Sequence, residues 1–137
     1  MLTVVFFMSH VNFYLYFYIF IAGAVGYALL EILWRGFTHW TMALAGGICL
    51  TAIFIMNMLV PVSSVFLKAL FGALIITAVE YAFGYVFNIV LQWNIWDYSA
   101  MPLNIKGQVC LFFTMLWYLI CIPVVSICEY IRTCVLR

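Results

Sequence analysis

Four long apolar stretches, separated by short polar connectors, set the pattern of this chain. They cover residues 12–34, 40–60, 65–91 and 108–131. A bilayer core takes about 20 apolar residues per helix, so each stretch predicts one membrane-spanning α-helix. Pro61 stops the second stretch. Pro123 lies within the fourth, where a membrane helix tolerates it if neighbours satisfy the freed carbonyl. Trp34, Trp40, Trp93 and Trp96 stand at the ends of these spans, as an interfacial aromatic belt would. The expected fold is therefore all-α: a bundle of four transmembrane helices, with a structured Trp-rich connector between helices 3 and 4. Small residues along the first three helices (Ala22 and Gly26, Ala43 and Gly47, Ala69 and Ala73) predict close helix packing.

Composition agrees with this pattern. The chain has 137 residues, a length suited to a single integral membrane domain; 70% of them are hydrophobic and 7% charged. Mean hydropathy is +1.27, outside the range of soluble domains. A net charge of +1 supplies no basic field for nucleic acid. The five cysteines form no CxxC pair and read as small apolar residues. HExxH, a Gly-rich phosphate loop and GxSxG do not occur, so the sequence implies no metal and no cofactor. With both termini on one face, that face carries Lys68, Arg132 and Arg137 against Arg35 and Lys106 opposite. The basic excess places the termini in the cytoplasm.

The polar residues inside or beside the spans are the candidate site. Glu80 lies about eleven residues from the end of the third span, roughly 16 Å along a helix. An ionised acid at such depth costs at least ~2.5 kcal/mol. Thr77, Gly84 and Asn88 share its helix face. Two readings stand side by side: a protonated glutamate gluing two helices together, or a proton-, ion- or substrate-binding group. Glu31 and Arg35 are four residues apart and share a face near the end of the first helix. They suit either an interfacial ion pair or the mouth of a cleft.

The connector "QWNIWDYSAMPLNIKGQ" (residues 92–108) gathers Asp97, Asn104, Lys106 and Gln108 beside Trp93, Trp96 and Tyr98. Its polarity predicts an ordered re-entrant or lid segment, with the three aromatic residues as a gate and Gln108 opening the fourth helix. Four spans place this connector on the same face as residues 35–39. Asp97 is then expected close to Arg35 or to the Glu31 face.

"GYALLEILWRGFTHWTMALAGGICL" and "VEYAFGYVFNIVLQWNIWDYSAMPLNIKGQVCLFFTMLWYL" resemble the small bacterial membrane proteins of the type IV, CmpB-like family of ABC transporter permeases. The resemblance covers about residues 20–120. It rests on the acid–Tyr pair Glu80–Tyr81, on "WDYS" (Trp96–Ser99), and on Pro102, Asn104, Gly107, Cys110 and Leu111. It implies a role in transport, a bacterial plasma membrane, and a separate ATPase, since this chain holds no nucleotide-binding motif. Three functions follow for weighing. The first is a transporter or channel component, as a homo-oligomer or beside a larger membrane-protein partner. The second is a non-catalytic subunit in contact with lipid and such a partner. The third is an intramembrane enzyme acting on a lipid-like substrate.

Overall fold

The computed structural model describes the backbone of residues 2–135 and the side chains of residues 13–135. Arg137, one of the charges behind the expected orientation, lies outside the described residues. Four α-helices carry the chain: α1 (Leu2–Arg35), α2 (Trp40–Leu59), α3 (Val65–Phe83) and α4 (Leu111–Val135). Beyond Phe83, α3 runs on as a π-helical segment, Gly84–Val90. Two short strands, β1 (Asn104–Ile105) and β2 (Val109–Cys110), pair antiparallel just before α4. Among the described residues, four helical segments, Phe13–Arg35, Trp40–Leu59, Val65–Val90 and Leu111–Val135, are long and apolar enough to cross a membrane.

The helix boundaries have local causes. Arg35 ends α1 because Gly36 turns left-handed at φ 81° while its N–H still bonds the Ile32 carbonyl at 2.8 Å. At the start of α2, His39 Nδ1 accepts the Thr41 N–H at 3.3 Å and pairs with the Thr41 hydroxyl at 2.8 Å. Ser64 caps α3, its hydroxyl accepting the Leu67 N–H at 3.3 Å. Pro123 sits within α4 without ending it.

The fourth helix starts three residues later than its apolar run suggests. Gly107 (φ 71°) reverses the chain so that Asn104 pairs with Cys110 and Ile105 with Val109. Residues 108–110 are thereby spent in the turn and ladder, and Gln108 is not a helical residue.

The chain divides into two compact units, Met1–Thr51 and Ala52–Arg137. In the first, Ile19, Tyr27, Met42, Ala45 and Cys49 are buried. The close approach there is made by Gly23 and Gly46. A Cβ on Gly23 would lie 2.5 Å from the Gly46 carbonyl oxygen, and one on Gly47 would run into the Phe20 ring at 2.6 Å. Gly26 has open space around it. The contact is thus one register away from the expected Ala22–Gly26 face. Phe13, Tyr14, Phe17 and Tyr18 project outward, as lipid-facing aromatic residues would.

In the second unit α3 and α4 pair as a hairpin. Ala69 and Ala73 are fully buried, and a Cβ on Gly72 would meet Cys121 Sγ at 2.9 Å. Small residues on α3 let α4 come close, and dispersion attraction at that short range drives helix pairing in lipid.

Substituting the two glycines of α1 separates packing from helix propensity. Gly23→Ala is expected to lower stability by roughly 1–3 kcal/mol, the usual cost of forcing atoms into a filled contact. Gly26→Ala, in open space, should gain about 0.5–1 kcal/mol from helix propensity. Thermal unfolding of the two variants in detergent measures the contrast.

Candidate functional site

Polar side chains along the α3–α4 seam make up the candidate site. On α3 they occur at Lys68, Thr77 and Glu80, and on the π-helical segment at Asn88. Lys68 and Asn88 are 20 residues apart, about 30 Å along a helix, which matches the hydrocarbon thickness of a bilayer. Glu80 lies between them and is 2% exposed. Its Oε2 accepts the indole N–H of Trp117, on α4, at 3.1 Å. One turn away Thr77 and Thr114 share a hydrogen bond of 2.9 Å, and Thr114 also donates to the Cys110 carbonyl at 3.1 Å.

Asn88 organises the connector end. Its Nδ2 donates to the Trp96 carbonyl at 3.1 Å and to Gln108 Oε1 at 2.9 Å. Its Oδ1 accepts the Ile95 N–H at 2.7 Å. Trp96 Nε1 donates to the Gln108 carbonyl at 2.9 Å, and Gln108 Nε2 donates to the Lys106 carbonyl at 2.9 Å. Asn88, Trp96 and Gln108 are all buried. Gly84 makes room for them: a Cβ there would lie 2.5 Å from Gln108 Oε1 and 3.0 Å from the Trp96 ring. The π-helical geometry fits this docking. Leu91 N–H bonds the Val86 carbonyl at 2.9 Å and Trp93 N–H bonds the Phe87 carbonyl at 2.8 Å. The widened turn hands the chain from helix to connector with its amides still paired.

The rest of the connector is held by its own polar residues. Asp97 Oδ1 accepts the Ser99 N–H at 2.8 Å. Asn104 donates to the Ser99 and Met101 carbonyls at 3.2 and 2.8 Å and accepts the Gly107 N–H at 2.9 Å. Tyr98 stacks on Phe113 with ring centroids 4.7 Å apart. Trp93 lies 5.1 Å from Phe87 and is half exposed. Gln92, Asn94, Leu103 and Lys106 all adopt left-handed backbone conformations. Such conformations cost energy for side-chain-bearing residues and persist where surrounding contacts impose them. The Ser99 N–H, and after it the Ser99 hydroxyl, hold the exposed Asp97 carboxyl below its ordinary pKa.

The structure therefore brings together Glu80 with Trp117, and Asn88 with Trp96 and Gln108, while Asp97 and Asn104 bind connector backbone. In the other unit Glu31 and Arg35 pair with each other, Arg35 Nε lying 2.5 Å from Glu31 Oε2. The Arg35 guanidinium also covers the Phe37 ring at 4.6 Å. Two contributors are not legible in the hydropathy pattern. Gly84 reads there as part of a polar stripe, not as a docking notch. Trp117 reads as one more apolar residue of its span, although a hairpin pairing residue 68 with 129 also sets 80 against 117.

A family model described as "Putative ABC-transporter type IV" matches residues 17–136 of the chain. No curated protein and no solved structure matches it.

Asn88→Ala should remove the side-chain donor to the buried Trp96 carbonyl and Gln108 Oε1, at about 1–3 kcal/mol for a buried group left unsatisfied. Hydrogen exchange across residues 92–108 is expected to rise sharply while helical circular dichroism stays unchanged. Asp97 makes a separate, pH-linked contribution. With its folded pKa depressed, the stabilisation is fully present above the unfolded value of about 3.9. It is lost as pH falls through the lower folded value. The Ser99 amide resonance should titrate with an inflection below that of a free aspartate, and Asp97→Asn should abolish the inflection.

Proposed function

This chain belongs to the type IV ABC-transporter family, a multi-pass, transport-related membrane protein, and from that premise we propose that it is the membrane-embedded component of a bacterial plasma-membrane transporter. Its termini face the cytoplasm in this reading, and energy comes from a separate ATPase, because the chain carries no Gly-rich phosphate loop. The α3–α4 seam is the intramembrane site and the residue 92–108 connector is its cap.

One observation carries this reading: the buried Glu80 carboxyl, near mid-membrane and hydrogen-bonded to Trp117. A glutamine would accept the same indole hydrogen bond without the cost of an ionisable group. An acid retained at that depth adds the ability to take up and release a proton or to balance a cation. Interhelical hydrogen bonds within membranes average only ~0.6 kcal/mol, less than the ~2.5 kcal/mol insertion cost of the charged form. Helix glue alone is a weak return on that cost. The π-helical segment one turn beyond Glu80 supports the same view, since such segments concentrate at functional sites. Asn88 and Gln108 continue the seam towards the connector. Trp96 closes it, with Trp93 and Tyr98 flanking. Asp97 and Asn104 contribute by holding the cap in shape; in the first unit, Glu31 and Arg35 form a charged pair of their own at the end of α1.

The tight Glu80–Trp117 contact also favours a second reading, a non-catalytic subunit in which Glu80 only fastens the hairpin. Proton and ion flux in proteoliposomes separates the two. Down an imposed gradient, which needs no ATPase, the wild-type protein is expected to conduct, and Glu80→Gln to lose at least tenfold of that flux with folding intact. No flux in either protein selects the second reading, whereas equal flux in both keeps conduction and removes Glu80 from its pathway.

A further inference from the structure

At the opposite end of the second unit, where the polar seam ends at Lys68, lies a cavity to which the transport reading gives no role. It measures about 450 Å³ and opens where α2 ends, α3 begins and α4 approaches its last turn. Asn57, Ser63, Lys68, Glu129 and Arg132 supply its polar lining. Asn57 is 2% exposed, and neither its amide nitrogen nor its oxygen has a hydrogen-bond partner among the described residues. A buried amide with all its capacity unspent calls for a partner from outside the chain, a water or a bound group. Lys68 is 6% exposed, and its Nζ bonds Glu129 Oε2 at 3.2 Å. That bond uses one of three ammonium donors. Arg132 also pairs with Glu129. Two cations share one carboxylate, so the cluster keeps one positive charge.

At Val60 this cavity adjoins a groove of about 440 Å³ that runs towards the middle of the span. Met56, Phe71, Leu74, Ile75 and Ala78 line it, with almost no polar surface. Lys68 lies in the first turn of its span and Arg132 in the last turn of its own. Polar cavity and apolar groove therefore meet at headgroup depth, where a lipid presents phosphate above acyl chain. We propose that this end of the protein binds one monoanionic phospholipid. Its phosphodiester sits against Lys68 and Arg132, Asn57 donates to a headgroup or ester oxygen, and an acyl chain lies in the Met56–Phe71–Leu74 groove. Charge complementarity selects the occupant. A single net positive charge matches a single phosphodiester, and Glu129 disfavours more highly charged headgroups.

The test is thermal unfolding of the full-length protein in neutral detergent with phosphatidylglycerol, phosphatidylcholine of the same acyl chains, or inorganic phosphate. Phosphatidylglycerol is expected to raise Tm saturably, phosphatidylcholine far less, and phosphate not at all. Asn57→Leu fills the same space without an unpaired amide, so its lipid-free Tm should equal or exceed that of the wild type. Its apparent affinity for phosphatidylglycerol should fall at least tenfold. Ala78→Phe, which blocks the groove, should weaken lipid binding similarly. Equal shifts with both lipids overturn the proposal, as does a shift reproduced by phosphate alone, which would mark a soluble-anion site. Undiminished phosphatidylglycerol binding by Asn57→Leu overturns it too.

Discussion

A polar group inside a bilayer has no water to turn to, and this requirement shapes the second unit more than any other. The pressure is greatest where α3 must stop being a helix, because each helix end leaves unpaired backbone groups. Here the widened π-helical segment keeps Leu91 and Trp93 N–H groups bonded, and Asn88 reaches across to the next stretch of backbone. Gln108 and the Trp96 indole complete the network. Everything in it depends on a missing side chain at Gly84, which lets the connector lie directly against the helix. A residue with no chemistry of its own thus determines whether the polar ones can meet.

Along the rest of the hairpin, polar pairing and close packing divide the work. Buried Ala69, Gly72 and Ala73 let Cys121 and its neighbours approach, and this contact area supplies most of the attraction. The Thr77–Thr114 and Glu80–Trp117 bonds are individually weak in such a setting. Their effect is on register, since a shift of one helical residue would leave both donors facing lipid. A carboxyl at this position goes beyond what register requires, and that excess underlies the transport reading.

The two ends of the second unit differ in how completely their polar groups are used. Around Asn88 and Asn104, side-chain amides are spent on connector backbone, giving a stiff cap with four left-handed residues locked in place. Around Asn57, Lys68 and Arg132, donors remain in excess beside an apolar groove. A finished network serves as structure, whereas spare capacity next to a cavity suits a ligand.

By itself, the sequence determined four apolar spans, their short connectors, a polar segment before the last helix and the depth of Glu80. These follow from run length, hydropathy and position along one helix, all of which are local. It also carried the family resemblance through "WDYS" and the residues after it. What only the tertiary structure decided was which residue meets which. Gly23 rather than Gly26 makes the close approach, Trp117 rather than a second charge faces Glu80, and α4 waits until Leu111 because β1 and β2 take up the residues before it. In a chain this rich in apolar residues every helix face looks able to pack, so periodicity does not choose among them. Asn57 reads as one more polar residue near a helix end. Its burial without a partner emerges only when α3 and α4 are placed around it, because satisfaction of a hydrogen bond is a property of neighbours and not of sequence.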